Sequence, residues 1–157
     1  MTQNKISKRV KSLESLLIGA LDSPYLDYQA TKQIKSSGVY FIFYQQEIIY
    51  IGKTNRTGKL RLRELAADYR SHTLNRKLLR ELLSKVLQRD LPPLKKSSKK
   101  ELIESGIISE IKFSFLQNTI NNRIKKDMQF KFIDLPANEV LALEHFAIAV
   151  LEPKMND

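Results

Sequence analysis

Apolar residues at Ile6, Val10, Leu13 and Leu17 recur at spacings of four, three and four, with Leu16 and Ile18 beside them. That is the stripe of an amphipathic helix, and the Gly- and Pro-bearing residues 19–24 predict its end. Lys5, Lys8, Arg9 and Lys11 lie around the same cylinder, as cations do on solvated helix faces. Ser36, Ser37 and Gly38 then punctuate the chain before Val39, Tyr40, Phe41, Ile42, Phe43 and Tyr44, an unbroken β-branched and aromatic run that predicts a strand. Ile48, Ile49, Tyr50 and Ile51, closed by Gly52, predict a second strand antiparallel to it. The intervening Gln45, Gln46 and Glu47 contain no glycine and no Asn-Gly, so the spacing predicts a loose connection of three or more residues, not a tight type I′ turn.

From Lys59 onward the period lengthens. Leu62, Leu65, Ala66 and Tyr69 recur at helical spacing, and after His72 a second stripe runs through Leu74, Leu78, Leu79, Leu82, Leu83, Val86 and Leu87 until Pro92 and Pro93 stop it. The polar run LKKSSKK reads as mobile, and Ser98 with Glu101 three residues later predicts a capping box for a short helix ending near Gly106. Residues 111–116 and 128–133 alternate polar and apolar, as half-exposed strands do, and residues 117–122 between them have the composition of a loop. A last helix over 138–151 is stopped by Pro153. With no internal repeat and no linker, 157 residues make one domain over 1–157, its core from 36 to 156 and a helical extension before it.

Composition narrows the chemistry. The chain has no cysteine and two histidines, which leaves no disulfide framework and makes a zinc site improbable. No apolar run reaches the roughly 18 residues of a membrane span and no secretory signal opens the chain, so a cytoplasmic protein without membrane contact is the expectation. The net charge of +10 is unevenly placed: residues 1–52 hold six bases and four acids, residues 53–100 hold 15 and four, and residues 101–157 hold six and nine. A surplus confined to the central third is the electrostatic footprint expected for a polyanion, and a merely solvated basic face is its bland alternative.

Three features converge on one family. Gly38-Val39-Tyr40 and, after nine intervening residues, Tyr50-Ile51-Gly52 resemble the paired tripeptides of the GIY-YIG nucleases, with Lys53-Thr54 following as it often does there. Leu60-Arg61-Leu62-Arg63 is similar to the family's arginine-bearing helix, whose register favours Arg63 over Arg61. Glu144, Pro153 and Asn156 stand in the order of its metal-binding glutamate helix and tail. The resemblance covers residues 38–72 and 137–156; Ala67 departs from it where a His or Tyr is common, which makes Tyr69 and His72 second-rank catalytic candidates.

What the resemblance implies is an α/β domain with a three-stranded antiparallel sheet flanked by helices, here with room for one extra strand. It further implies hydrolysis of phosphodiesters in nucleic acid, DNA first, in which Tyr40 helps to deprotonate water, Tyr50 and Arg63 orient the phosphate, and Glu144 holds Mg²⁺ or Mn²⁺. Lys53, Lys77, Arg80 and Asn156 are expected to contact substrate, and double-strand cutting would require a homodimer or two binding events. Read without the family, two tyrosines acting together must share a sheet face. Opposed positions must then sum to an even number, and pairing Tyr40 with Tyr50 leaves residues 44–46 as the loop. Glu144 sits among Val140, Leu141, Ala147 and Ile148, where a carboxylate is paired, protonated or metal-bound, and a structural ion pair and a ligand role stand equal. His145 reads as an ordinary core histidine. A non-cleaving nucleic-acid-binding module is the rival, and a basic protein-interaction domain would leave Glu144 unexplained.

Overall fold

The computed structural model describes residues 1–156. Helix α1 (Thr2–Asp22) leads through a 3-10 turn (Ala30–Gln33) to β1 (Gly38–Tyr44) and β2 (Glu47–Thr54). Helices α2 (Gly58–Leu65), α3 (Thr73–Leu87), α4 (Ser98–Glu104) and α5 (Glu110–Asp127) follow, and β3 (Met128–Asp134) and α6 (Ala137–Leu151) close the chain. The fold is mixed α/β with one three-stranded antiparallel sheet, order β2-β1-β3. The single domain read over 1–157 is organised as two compact units, Met1–Arg61 with Met128–Asp157, and Leu62–Asp127. No helix among the described residues is long and apolar enough to cross a membrane.

In the first unit β1 is the central strand, and its apolar run is buried on both faces, as a strand covered twice requires. Val39, Phe41 and Phe43 point into a core completed by Leu13 and Leu17 of α1 and by Val140, Leu143 and Ala147 of α6. Only the second half of the predicted α1 stripe is used there; Ile6 and Val10 are exposed. Lys131, expected on the wet side of β3, is buried instead: its ammonium donates to the Leu21 carbonyl at the end of α1 and lies 4.3 Å from the Tyr25 ring centroid. A cation satisfying the last carbonyls of a helix and facing an aromatic ring is a favourable way to bury a lysine.

In the second unit the expected extra strand is absent. Residues 110–127 form one helix, and the loop expected at 117–122 is its middle. Phe113, Leu116, Ile120 and Ile124 make a buried helical stripe, whereas Ile111 and Phe115, which created the two-residue alternation, are exposed. Two amides that looked like loop residues, Gln117 and Asn121, join Asn75 of α3 in capping the end of α2. Asn75 Nδ2 donates to the Leu65 carbonyl at 2.8 Å, Asn121 Nδ2 to the Ala67 carbonyl at 3.1 Å, and Gln117 Oε1 accepts the Tyr69 N–H at 3.0 Å. Gln117 Nε2 also donates to Asn75 Oδ1 at 2.9 Å, so the network that satisfies these orphan helix-end groups also joins α3 to α5. The expected Ser98–Glu101 box is not formed: Ser98 Oγ accepts the Lys95 N–H at 2.6 Å, and Ser97 Oγ donates to Glu101 Oε1 at 2.8 Å.

Candidate active site

The hairpin is tighter than expected, and a bulge repairs the consequence. Gln45 and Gln46 both adopt positive φ, 52° and 67°, as the central residues of a two-residue primed turn must, although neither is glycine. Tyr44 therefore opposes Glu47 and Phe43 opposes Ile48, positions with an odd sum; continued regularly, that register would set Tyr40 against Ile51 and put Tyr50 on the other face. The register shifts between Ile42 and Phe43, leaving Ile49 as the extra residue, and from there Ile42 opposes Tyr50 and Tyr40 opposes Gly52. The two tyrosines are thus diagonal neighbours on one face, not the direct pair expected, with ring centroids 6.3 Å apart and planes 27° from parallel.

This register explains both outer glycines of the tripeptides. The Tyr40 ring lies across Gly52, where a Cβ would collide with the ring end and hydroxyl. At Gly38 a Cβ would collide with the Ile133 carbonyl and the Phe132 ring of β3. Each glycine is required for a close approach, one by the ring and the other by the neighbouring strand.

Helix α2 then sets the cation. Its first turn is tied down by Gly58 N–H to the Ser36 carbonyl and Lys59 N–H to the Ile34 carbonyl, both at 3.0 Å. Gly58, Leu62 and Leu65 are buried, and Arg61, one turn beyond Gly58, shares their side of the helix. Arg61 hydrogen-bonds the Tyr40 hydroxyl. Arg63, favoured by the motif register, is exposed and stands about 200° further round, so the arginine beside the tyrosines is Arg61. Burial pushes the Tyr40 phenol well above its ordinary value, Tyr50 adds to the rise, Arg61 opposes it by charge and hydrogen bond, and Glu144 contributes a smaller push upward.

Glu144 enters from α6 on the edge of the stripe formed by Val140, Leu143 and Ala147, its side chain 15% exposed. Burial raises its carboxyl above the ordinary value, against the lowering charges of Lys53, His145 and Arg61 in that order. His145, expected in the core, is exposed, with Nε2 3.9 Å from Glu144 Oε1. The buried arginine–glutamate pair that sequence left open is not the arrangement found: the surrounding cations reduce the cost of the carboxylate without cancelling it. Among the described residues there is no group of three or more His, Cys, Asp or Glu able to cage a metal. A lone, under-compensated carboxylate nevertheless suits Mg²⁺ or Mn²⁺, hard cations that keep several waters and take one or two carboxylates.

No family model matches the chain, and no curated protein and no solved structure matches it.

Other candidates have structural work. Tyr69 is fully buried, its hydroxyl donating to the Lys96 carbonyl at 2.8 Å and accepting the Lys99 N–H at 3.2 Å. His72 is buried as the N-cap of α3, where Nδ1 accepts the Leu74 N–H at 3.0 Å. Arg80 Nε donates to the Leu91 carbonyl at 2.7 Å and holds the chain after α3, whereas Lys77 is half-buried on α3. Asn156 acts as a surrogate strand: its Oδ1 accepts the Ile51 N–H at 2.8 Å and its Nδ2 donates to the Ile51 carbonyl at 2.6 Å. With Met155 N–H on the Ile49 carbonyl at 3.1 Å, it covers the open edge of β2, so Asn156 braces the strand that bears Tyr50.

Proposed function

We propose that the chain is a metal-dependent endonuclease that hydrolyses phosphodiester bonds in nucleic acid, DNA first, in the manner of the GIY-YIG nucleases it resembles. The observation that carries this reading is the convergence of Tyr40, Tyr50, Arg61 and Glu144, from two strands and two helices of one unit, with Lys53 beside the carboxylate. Two phenols, a permanently charged planar donor and an incompletely neutralised carboxylate suit a reaction in which an oxyanion at phosphorus gathers charge.

A guanidinium only donates, so Tyr40 accepts from Arg61 and keeps its own O–H as a donor. Its raised pKa makes a standing tyrosinate unfavourable near neutral pH, and Tyr40 therefore takes part as a neutral phenol that orients water and passes a proton along. Tyr50, stacked beside it, holds the same water or a phosphate oxygen. Arg61 and Lys53 bind the phosphate and oppose its developing charge. Glu144 would hold the divalent cation, which when bound supplies Lewis-acid stabilisation of phosphoryl oxygens. The test is incubation of purified protein with supercoiled plasmid and with structured RNA in Mg²⁺ or Mn²⁺, with and without chelator. Chelator-sensitive nicking is expected, and its absence for both substrates would overturn the enzymatic reading.

The non-cleaving binding module remains as a second reading because one observation favours it independently. Residues 62–127 carry 15 Lys and Arg against eight Asp and Glu, net +7 of the chain's +10, without contributing to the tyrosine–glutamate site.

A further inference from the structure

Within the second unit, the segment that sequence reads as mobile is held by a buried phenol. Tyr69 Oη bonds the backbone of both Lys96 and Lys99, which fixes the path of the chain into α4. Beside it lies a cleft of about 290 Å³ lined by Arg70, Lys96, Lys99, Lys100, Ile103, Glu104 and Glu110. Two of its cations lie over buried rings: the Arg70 guanidinium is 5.6 Å from the Tyr69 centroid, and Lys99 Nζ is 5.6 Å from that of Phe113. No aromatic ring lines the cleft itself, so it offers cations without a face for a nucleobase to stack on.

The opposing charges are held unequally. Arg70 is engaged by Asp68, with Nε 2.9 Å from Oδ1. Burial raises the Asp68 carboxyl, but Arg70's hydrogen bonds and charge, helped by Lys99, outweigh it and hold the carboxyl below its ordinary value. Lys100 meets Glu104 at 3.9 Å with both side chains more than 60% exposed, a pairing of small worth that a phosphate can displace. Among the described residues lining the cleft, four cations face the carboxylates of Glu104 and Glu110, with Asp68 behind Arg70.

We infer that this cleft is a phosphate-backbone site, at which Lys96, Lys99 and Lys100 grip adjacent phosphodiesters of a nucleic acid without reading its bases. The inference rests on the proposed nucleic-acid substrate and assigns to the second unit a defined contact in place of a diffuse basic field. A site that reads only phosphates supplies affinity and register to a chemistry carried elsewhere in the chain.

The test is the slope of log affinity against log salt for end-labelled duplex DNA and duplex RNA, measured with metal chelated so that cleavage does not interfere. Each phosphate contact contributes about 0.9 to that slope on duplex DNA, so Lys96→Gln with Lys99→Gln should lower it by roughly two. Lys112→Gln, an exposed lysine outside the cleft, should leave it unchanged. If the double variant melts early, Lys96→Gln alone carries the test through an exposed side chain, with an expected loss of about one. Equal loss for Lys112→Gln, or an unchanged slope for the cleft variants in a protein that binds, would overturn the cleft and leave the nucleic-acid reading standing. Absence of salt-dependent binding by the unaltered protein would overturn both. The DNA and RNA arms show which backbone the cleft prefers.

Discussion

Arg61 and Arg63 are two positions apart, and the helix makes them inequivalent. Of the two, it is Arg61 that bonds the Tyr40 hydroxyl. Arg61→Ala should therefore lower plasmid cleavage by roughly 100-fold or more, the usual loss when one preorganised donor to a developing oxyanion is removed, whereas Arg63→Ala should change it only a few-fold. Equal losses would remove Arg61 from its place in the mechanism. Glu144 gives a second residue-scale expectation, readable without activity. Its carboxyl is raised in the folded chain, so between the unfolded and folded values the native state holds the extra proton and stability falls as pH rises. In chelator, Glu144→Gln should melt like the unaltered protein at acid pH and increasingly above it as pH climbs through that window. A gap that widens toward acid would mean that the carboxylate is stabilised by its neighbours, as an ion pair is. Chemical type was legible in the sequence here: Tyr40, Tyr50 and Glu144 were candidates from their motif and from an acid within an apolar stripe, and they belong to one candidate site. Which arginine reaches them depends on where α2 begins its first turn, and the Ser36 and Ile34 carbonyls that settle this lie more than 20 residues upstream.

The hairpin shows at the level of elements why both strands could be foreseen and their register could not. Side-chain alternation required an even sum for Tyr40 and Tyr50 to share a face, but two arrangements meet that requirement: a wide loop with direct pairing, or a tight turn with one bulged residue. The chain takes the second, at the cost of two glutamines in the left-handed region. Each such residue is strained by about 1 kcal/mol or more, and both side chains are exposed. Replacing Gln45-Gln46 by Asn-Gly should therefore stabilise the fold by about 1–2 kcal/mol, a rise of roughly 3–6 °C in melting temperature, with cleavage unchanged. A lowered melting temperature would argue against the tight turn. Helix α5 failed to show itself for a related reason. Exposed Ile111 and Phe115 imitate a strand, and Gln117 and Asn121 turn amides inward, with Asn75 of α3, to cap α2, so polarity ceased to mark the surface. That network is assembled by tertiary contacts and leaves no local period.

For the whole molecule, the proposed chemistry and most of the positive charge fall on different stretches of chain. The tyrosines, Arg61 and Glu144 belong to the first unit, while 15 of the 27 Lys and Arg belong to residues 62–127. Binding and cleavage should therefore be separable by substitution. Glu144→Gln keeps the side chain's shape and removes the charge that would hold a divalent cation. Since Lewis-acid stabilisation of a phosphoryl oxygen contributes several kcal/mol and each 1.36 kcal/mol is a decade of rate, cleavage should fall by about three orders of magnitude. Chelation of the unaltered protein should produce a comparable loss, and adding chelator to the variant should produce little more, because both remove the same stabilisation. Affinity for duplex DNA and its salt dependence should be retained in the variant, since Glu144 is an acid and contributes no counterion release. Cleavage rates with and without chelator, set beside salt-titrated binding of the same preparations, decide the matter. A variant that still cuts in a chelator-sensitive way would detach the metal from Glu144. A variant that loses binding and cleavage together would make this carboxylate a support of the fold, and the binding module the better account of the protein.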